Sequence, residues 1–258
     1  MKQRAPILMA HGAFCGGWVW DRFAAPFRAA GHAVIAPDLP GHGANDPADA
    51  ALGQSMADYA DALAATAAAL PAPPVLVGHS LGGLAAAMAA MRTQTAGLVL
   101  LAPSPPWGVT GSTMEEAISA VSLYALGPYW AQVVQPDYAS FRRFAVDRLP
   151  SAERHALHAR MRPESGRALF ETLNWWLDPF MTTLVDPARI AAPVLAIAGG
   201  RDVVHPPATV RETARRLGGA FEAMPQMSHW LPGEPGWEQV AATCLAWIEA
   251  ADTRVAAE

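Results

Sequence analysis

The residue most plainly arranged for chemistry is a serine flanked by glycines, in Gly78-His79-Ser80-Leu81-Gly82. An apolar run, Pro74-Val75-Leu76-Val77, leads into it, and the small-residue stretch Leu81-Gly82-Gly83-Leu84-Ala85-Ala86-Ala87-Met88 leads out. That pattern reads as strand, sharp turn and helix, the context that makes G-x-S-x-G a nucleophile elbow rather than a chance match in a glycine- and alanine-rich chain. Such a turn strains the serine backbone and leaves almost no room for side chains on either side, which glycine at 78 and 82 provides. A helix beginning just after Ser80 aims free N–H groups at the point where an oxyanion would form. The arrangement suits attack on a carbonyl carbon.

A serine hydroxyl becomes a competent nucleophile when a base takes its proton, and histidine is the usual base. Of the eight histidines, His229 lies in Gln226-Met227-Ser228-His229-Trp230, a loop after the predicted strand Ala220–Met224. A carboxylate to orient it, Asp202, follows Gly199-Gly200-Arg201 at the end of another predicted strand. The chain order Ser80, Asp202, His229 is that of elbow-type triads. His205 is the rival base, but only three residues separate it from Asp202, too few to fold back between Asp202 and Ser80. His11, Asp38 and His42 fall in turn-rich loops and read as structural. The second oxyanion donor belongs to the loop His11-Gly12-Ala13-Phe14, with the Ala13 amide acting beside that of Leu81.

These residues need elements to place them. Strands are expected at Pro6–Ala10, 33–36, 74–77, 97–102, 193–198 and 220–224. Helices are expected at Trp18–Ala30 (closed by Gly31), from a Ser55/Asp58 cap to Leu70, after Ser80, at Ala208–Leu217 and at Trp237–Ala250. Strands alternating with helices imply a mostly parallel sheet of about six strands covered on both faces, with ligands beyond the carboxyl ends of the strands. Ala13, Ser80 and Asp202 all follow strands and so share that edge. Between 103 and 190 no clear strand appears, and aromatic residues are dense. We expect residues 105–190 to form a helical cap inserted into a core of residues 1–104 and 191–258. Phe14, Trp107, Trp130, Trp176 and Trp230 are the candidate substrate contacts. Trp175 and Trp176 are adjacent and diverge by about 100° on a helix, so one of them should leave the cap core for the cleft.

With 52% hydrophobic and 16% charged residues, the 258-residue chain is globular rather than disordered. A net charge of −5 without a basic run argues against nucleic-acid or anionic-membrane partners. Lys2 is the sole lysine, which excludes Schiff-base chemistry. Cys15 and Cys244 show no metal-ligand spacing, so a reducing, cytoplasmic setting is expected. The first apolar stretch is too short for a signal peptide and is interrupted by His11-Gly12; no 18-residue apolar run spans a membrane. No metal, nucleotide or redox cofactor motif is visible, and none is expected. Oligomeric state is not legible.

The chain resembles the α/β-hydrolase superfamily over nearly its whole length. The start, His11-Gly12-Ala13-Phe14-Cys15-Gly16-Gly17-Trp18 with Gly31-His32 and Pro37-Asp38-Leu39, is similar to the branch that holds plant methylesterases and hydroxynitrile lyases. The resemblance implies an α/β-hydrolase fold without the two leading strands common in the superfamily. It also carries the family triad over to Ser80, Asp202 and His229, and the oxyanion amides to Ala13 and Leu81. The lyases need a lysine near the catalytic histidine and a threonine in the oxyanion loop. Here that lysine is absent and Gly12 stands in the loop, which argues against cyanohydrin cleavage. The expected function is hydrolysis of small to medium apolar or aromatic carboxylic esters through an acyl-enzyme. The alternatives are a C–C hydrolase or cofactor-independent lyase or oxygenase on the same fold, or a ligand receptor with a retained triad.

Overall fold

The computed structural model describes residues 4–113 and 123–255. In chain order the elements are β1 (Ile7–Ala10), a 3-10 turn (Gly17–Trp20), α1 (Ala25–Ala29), β2 (Val34–Ile35), α2 (Met56–Ala68), β3 (Val75–His79), α3 (Leu81–Ala90) and β4 (Gly97–Leu101). After β4 come the short β5 (Val133–Val134), α4 (Ser151–His158), β6 (Glu164–Ser165) and α5 (Gly166–Leu173). The chain then returns through β7 (Val194–Gly199), α6 (Pro207–Arg216), β8 (Ala220–Met224) and α7 (Trp237–Val255).

Six strands form one parallel sheet in the order β2-β1-β3-β4-β7-β8. The central strands are unbroken apolar runs because both faces are buried, and alternate side chains serve opposite layers. Leu8, Leu76, Leu98, Leu100 and Ala196 pack toward α2, α3 and α6. Ile7, Met9, Val77, Val99 and Ile197 pack toward Trp20, Phe23 and Phe27 and the α7 residues Val240, Cys244 and Ile248. Helix α3 is buried at every position and built almost wholly of alanine, glycine and leucine, which lets its axis approach the sheet closely.

Two elements differ from expectation. The single helix expected over Trp18–Ala30 is split, and α1 starts anew at Ala25 with a proline in its first turn. Pro26 has no N–H with which to continue a helix from the preceding turn. Gly31, at φ 89°, closes α1 in the left-handed conformation as expected. The segment between β4 and β7 is not strand-free either: Val133–Val134 pairs antiparallel with Glu164–Ser165. Helix α2 begins with the Ser55/Asp58 capping box read from the sequence. Among the described residues, no helix is long and apolar enough to cross a membrane.

Candidate active site

Strand β3 delivers Ser80 to the carboxyl edge of the sheet, and α3 begins at the next residue. Ser80 has φ 53° and ψ −125°, a backbone conformation that a side-chain-bearing residue adopts only when its surroundings impose it. Its N–H donates to Leu101 O at 3.0 Å, and its own carbonyl accepts from the Gly83 and Ser104 amides. The flanking glycines are required by close approach. A Cβ on Gly78 would lie 2.4 Å from Gly82 O, and one on Gly82 would lie 2.1 Å from His11 O. Helix α3 is thereby drawn down against the loop that follows β1.

Three side chains from three different strand ends meet here. His229 Nε2 is 3.1 Å from Ser80 Oγ, and His229 Nδ1 is 2.8 Å from Asp202 Oδ2. Asp202 Oδ1 accepts the backbone N–H groups of Val204 and His205 at 2.7 and 3.0 Å. Burial opposes ionisation of Asp202. The His229 charge and hydrogen bond, together with the amides, outweigh burial and hold the carboxyl below its usual range. With Asp202 as an acceptor, His229 carries its proton on Nδ1, and Nε2 is left to accept from the Ser80 hydroxyl.

Two further histidines flank His229. His79 lies 4.9 Å away between ring centroids and His205 lies 5.3 Å away. Burial and the nearby His229 charge push both down to about 3, so neither competes for a proton at neutral pH. His205 Nε2 is engaged with Ser104 Oγ at 3.0 Å, which removes the rival base. His79 Nε2–H donates to His229 O at 2.9 Å and fixes the loop that carries His229. His11 is structural: Nδ1–H donates to Gly12 O while Nε2 accepts from the Leu39 amide, both at 2.9 Å. Asp38 braces Gly17 N–H at 2.7 Å.

The Ala13 and Leu81 amides have no acceptor among the described residues, whereas the next amide, Phe14 N–H, donates to Glu164 Oε2 at 3.1 Å. Phe14 stands at φ 65°, a second non-glycine residue in the left-handed region, within the loop that carries Ala13.

The aromatic candidates scatter. Phe14 is half-buried against the core, and Trp107 is half-buried, stacked edge-on against Trp175 at 5.3 Å. Trp130 packs among Tyr124, Tyr129 and Phe170 with 43% of its surface exposed. Trp176, one of the adjacent pair of which one ring is expected to leave the cap core, is 57% exposed and meets Trp175 edge-on at 5.9 Å. Trp230 is buried in the core between Trp18, His79 and Phe141, so it supports the His229 loop from beneath. Glu164 and Glu234 were not anticipated. Glu234, 1% exposed, accepts Ser228 N–H at 2.7 Å directly before His229, and Arg148 approaches its other oxygen at 3.4 Å.

The sequence profile of the alpha/beta hydrolase family matches residues 7–243. The chain belongs to that family. This alpha/beta hydrolase is 43% identical to "Probable esterase PIR7A" of Oryza sativa subsp. indica over 116 residues, 43% of this chain and 44% of the rice protein. The chain thus spans under half the length of the first curated relatives it matches. A longer match, 29% identical over 208 residues, covers 79% of the chain and 74% of Methylesterase 18 of Arabidopsis thaliana. Among solved structures, the methylesterase MES16 from Arabidopsis superposes with a TM-score of 0.74 at 18% identity, covering 95% of this chain and 99% of that one. The alpha/beta hydrolase fold is therefore shared across both chains.

Proposed function

We propose that this protein is a serine hydrolase that cleaves carboxylic esters through an acyl-enzyme. The observation that carries this reading is the chain of contacts from Ser80 Oγ through His229 to Asp202 Oδ2, at 3.1 and 2.8 Å. Ser80 attacks the ester carbonyl while His229 Nε2 takes its proton and then passes it to the departing alcohol. Asp202 holds His229 in the required tautomer and stabilises the imidazolium. The Ala13 and Leu81 amides receive the developing oxyanion, each such donor contributing about 3–4 kcal/mol of transition-state stabilisation in comparable sites. Water, activated by His229, releases the acid.

Residues 105–190 act in this reading as a lid over the edge, with Trp107 as its substrate-facing aromatic and Phe14 contributing from the loop after β1. Trp130 and Trp176, both exposed, are the proposed contacts at the outer rim of the lid. The esterase and methylesterase names of the relatives support an ester as substrate. A cytoplasmic setting fits two buried cysteines that are both free thiols.

The test is steady-state hydrolysis of p-nitrophenyl esters from acetate to palmitate by wild type and Ser80→Ala. Serine-dependent turnover that peaks at short or medium acyl chains is expected. Turnover by Ser80→Ala above a thousandth of wild type would sink the proposal. An inactive panel with Ser80 still labelled by a fluorophosphonate would transfer the same machinery to lactones, amides or C–C bonds.

A further inference from the structure

Glu164 belongs to the segment between β4 and β7, lies 150 residues from Phe14 in sequence, and is completely buried. Four donors converge on its carboxylate. Oε1 accepts Tyr59 O–H at 2.6 Å and Ser165 N–H at 2.8 Å, and Oε2 accepts Phe14 N–H and His42 Nε2–H, both at 3.1 Å. The other nitrogen of His42 faces Pro40 O at 3.2 Å, so both ring nitrogens meet acceptors; burial opposes the charge on this ring, but the Glu164 carboxylate outweighs it and holds His42 above its usual range. A carboxylate buried this deeply needs a cation and a full set of donors, and this one has both. Only a carboxylate satisfies the site, because an amide, whichever way it sat, would turn its own NH2 group toward two of the four donors, one of them a fixed backbone N–H.

The bond to Phe14 has a partner. Phe14 O accepts Arg162 N–H at 2.9 Å, so residues 162–164 grip both polar groups of a residue held at φ 65°. The amide one residue earlier is that of Ala13. We propose that Glu164 is a positioning residue for the oxyanion site: by clamping Phe14 in its left-handed conformation, it aims the Ala13 N–H at the carbonyl oxygen of the substrate. The inference rests on the oxyanion role given to Ala13 above. It makes the segment that covers the edge also the part that completes the catalytic loop. Residues 162–164 then set kcat rather than simply enclosing substrate.

The test compares the rate at which a fluorophosphonate labels Ser80 in wild type, Glu164→Gln, Glu164→Asp and Tyr59→Phe. In that reaction Ser80 Oγ bonds to phosphorus, fluoride leaves, and the serine proton passes to His229, with the phosphoryl oxygen lying where the oxyanion would. Glu164→Gln preserves volume and should slow labelling at least tenfold, given that losing one oxyanion donor outright costs about 10²–10³. It should lower kcat for p-nitrophenyl butyrate with KM within about twofold. Tyr59→Phe removes a donor that does not touch Phe14 and should stay within about threefold. Glu164→Asp keeps the charge opposite His42 but withdraws the carboxylate from Phe14; it serves if the glutamine variant fails to fold and should slow labelling at least threefold. Wild-type labelling rates in a folded Glu164→Gln or Glu164→Asp would overturn the proposal, as would an equal loss in Tyr59→Phe. Labelling does not need an ester substrate, so a failure of the ester reading leaves this comparison standing.

Discussion

Replacing Asp202 by asparagine tests the site most sharply, because the structure dictates how the new side chain must sit. Asp202 Oδ1 is fixed by the Val204 and His205 amides. An asparagine that keeps its oxygen there must turn its NH2 toward His229 Nδ1. The reversed orientation would leave two buried backbone amides without acceptors, at about 1–3 kcal/mol each, to regain one hydrogen bond worth about 0.5–1.5 kcal/mol. The first orientation wins, and His229 Nδ1 is then forced to accept. The imidazole proton moves to Nε2, which faces Ser80 Oγ as a donor and cannot act as a base. Loss of the correct tautomer in a triad of this kind lowers kcat by about 10⁴, or about 5 kcal/mol at the transition state. The assay is kcat/KM for p-nitrophenyl butyrate at pH 7, with circular dichroism to verify the fold. A folded Asp202→Asn enzyme within tenfold of wild type would refute the assignment of His229 as base and Asp202 as its orienting partner.

Two further outcomes follow from the packing and charge around the site. Gly82→Ala places a Cβ 2.1 Å from His11 O and 2.5 Å from Ala10 O, both backbone atoms that cannot step aside. It should cost at least about 3 kcal/mol and lower Tm by roughly 6–12 °C in a chain of this size; an unchanged Tm by calorimetry would contradict the described approach of α3 to β1. Burial, reinforced by the nearby Asp147 charge and only partly offset by the Ser228 amide and Arg148, pushes Glu234 up to about 7. A carboxyl raised above its unfolded value binds more protons when folded, so stability falls as pH rises from about 5 through 7. Glu234→Gln should flatten that slope in urea melts at pH 5, 6, 7 and 8, and identical slopes would disprove the burial argument.

Much of this site is legible in the sequence because its parts follow local rules. Ser80 sits in a motif with a strand before it and a helix after it, while Asp202 and His229 each follow a strand whose apolar run is clear. Parallel strands carry all three to one edge. Glu164 is illegible for the opposite reason. Nothing adjacent to it in sequence signals burial, and its partners Phe14, His42 and Tyr59 lie 150, 122 and 105 residues away. The surroundings of the aromatic candidates are not legible, because ring type gives size and apolarity but no direction. Trp176 and Trp230 are equally plausible on paper, yet one faces solvent and the other lies in the core. Pro26, which has no N–H to offer the preceding turn, is the residue in Trp18–Ala30 that marks the break in the first helix.

The sheet order also sets a schedule for synthesis. Strand β4 pairs on one side with β3, already made, and on the other with β7; Leu98 must wait for Val194, 96 residues further along. At about 5–20 residues per second on the ribosome, that interval is roughly 5–20 s. Throughout it, a fully apolar strand presents unpaired backbone groups along one side, the geometry that invites pairing with other chains. The nascent protein is thus most vulnerable to aggregation while the segment between β4 and β7 is being translated. Slow codons within that segment should lower the soluble yield, whereas the same codons placed after β8 should not.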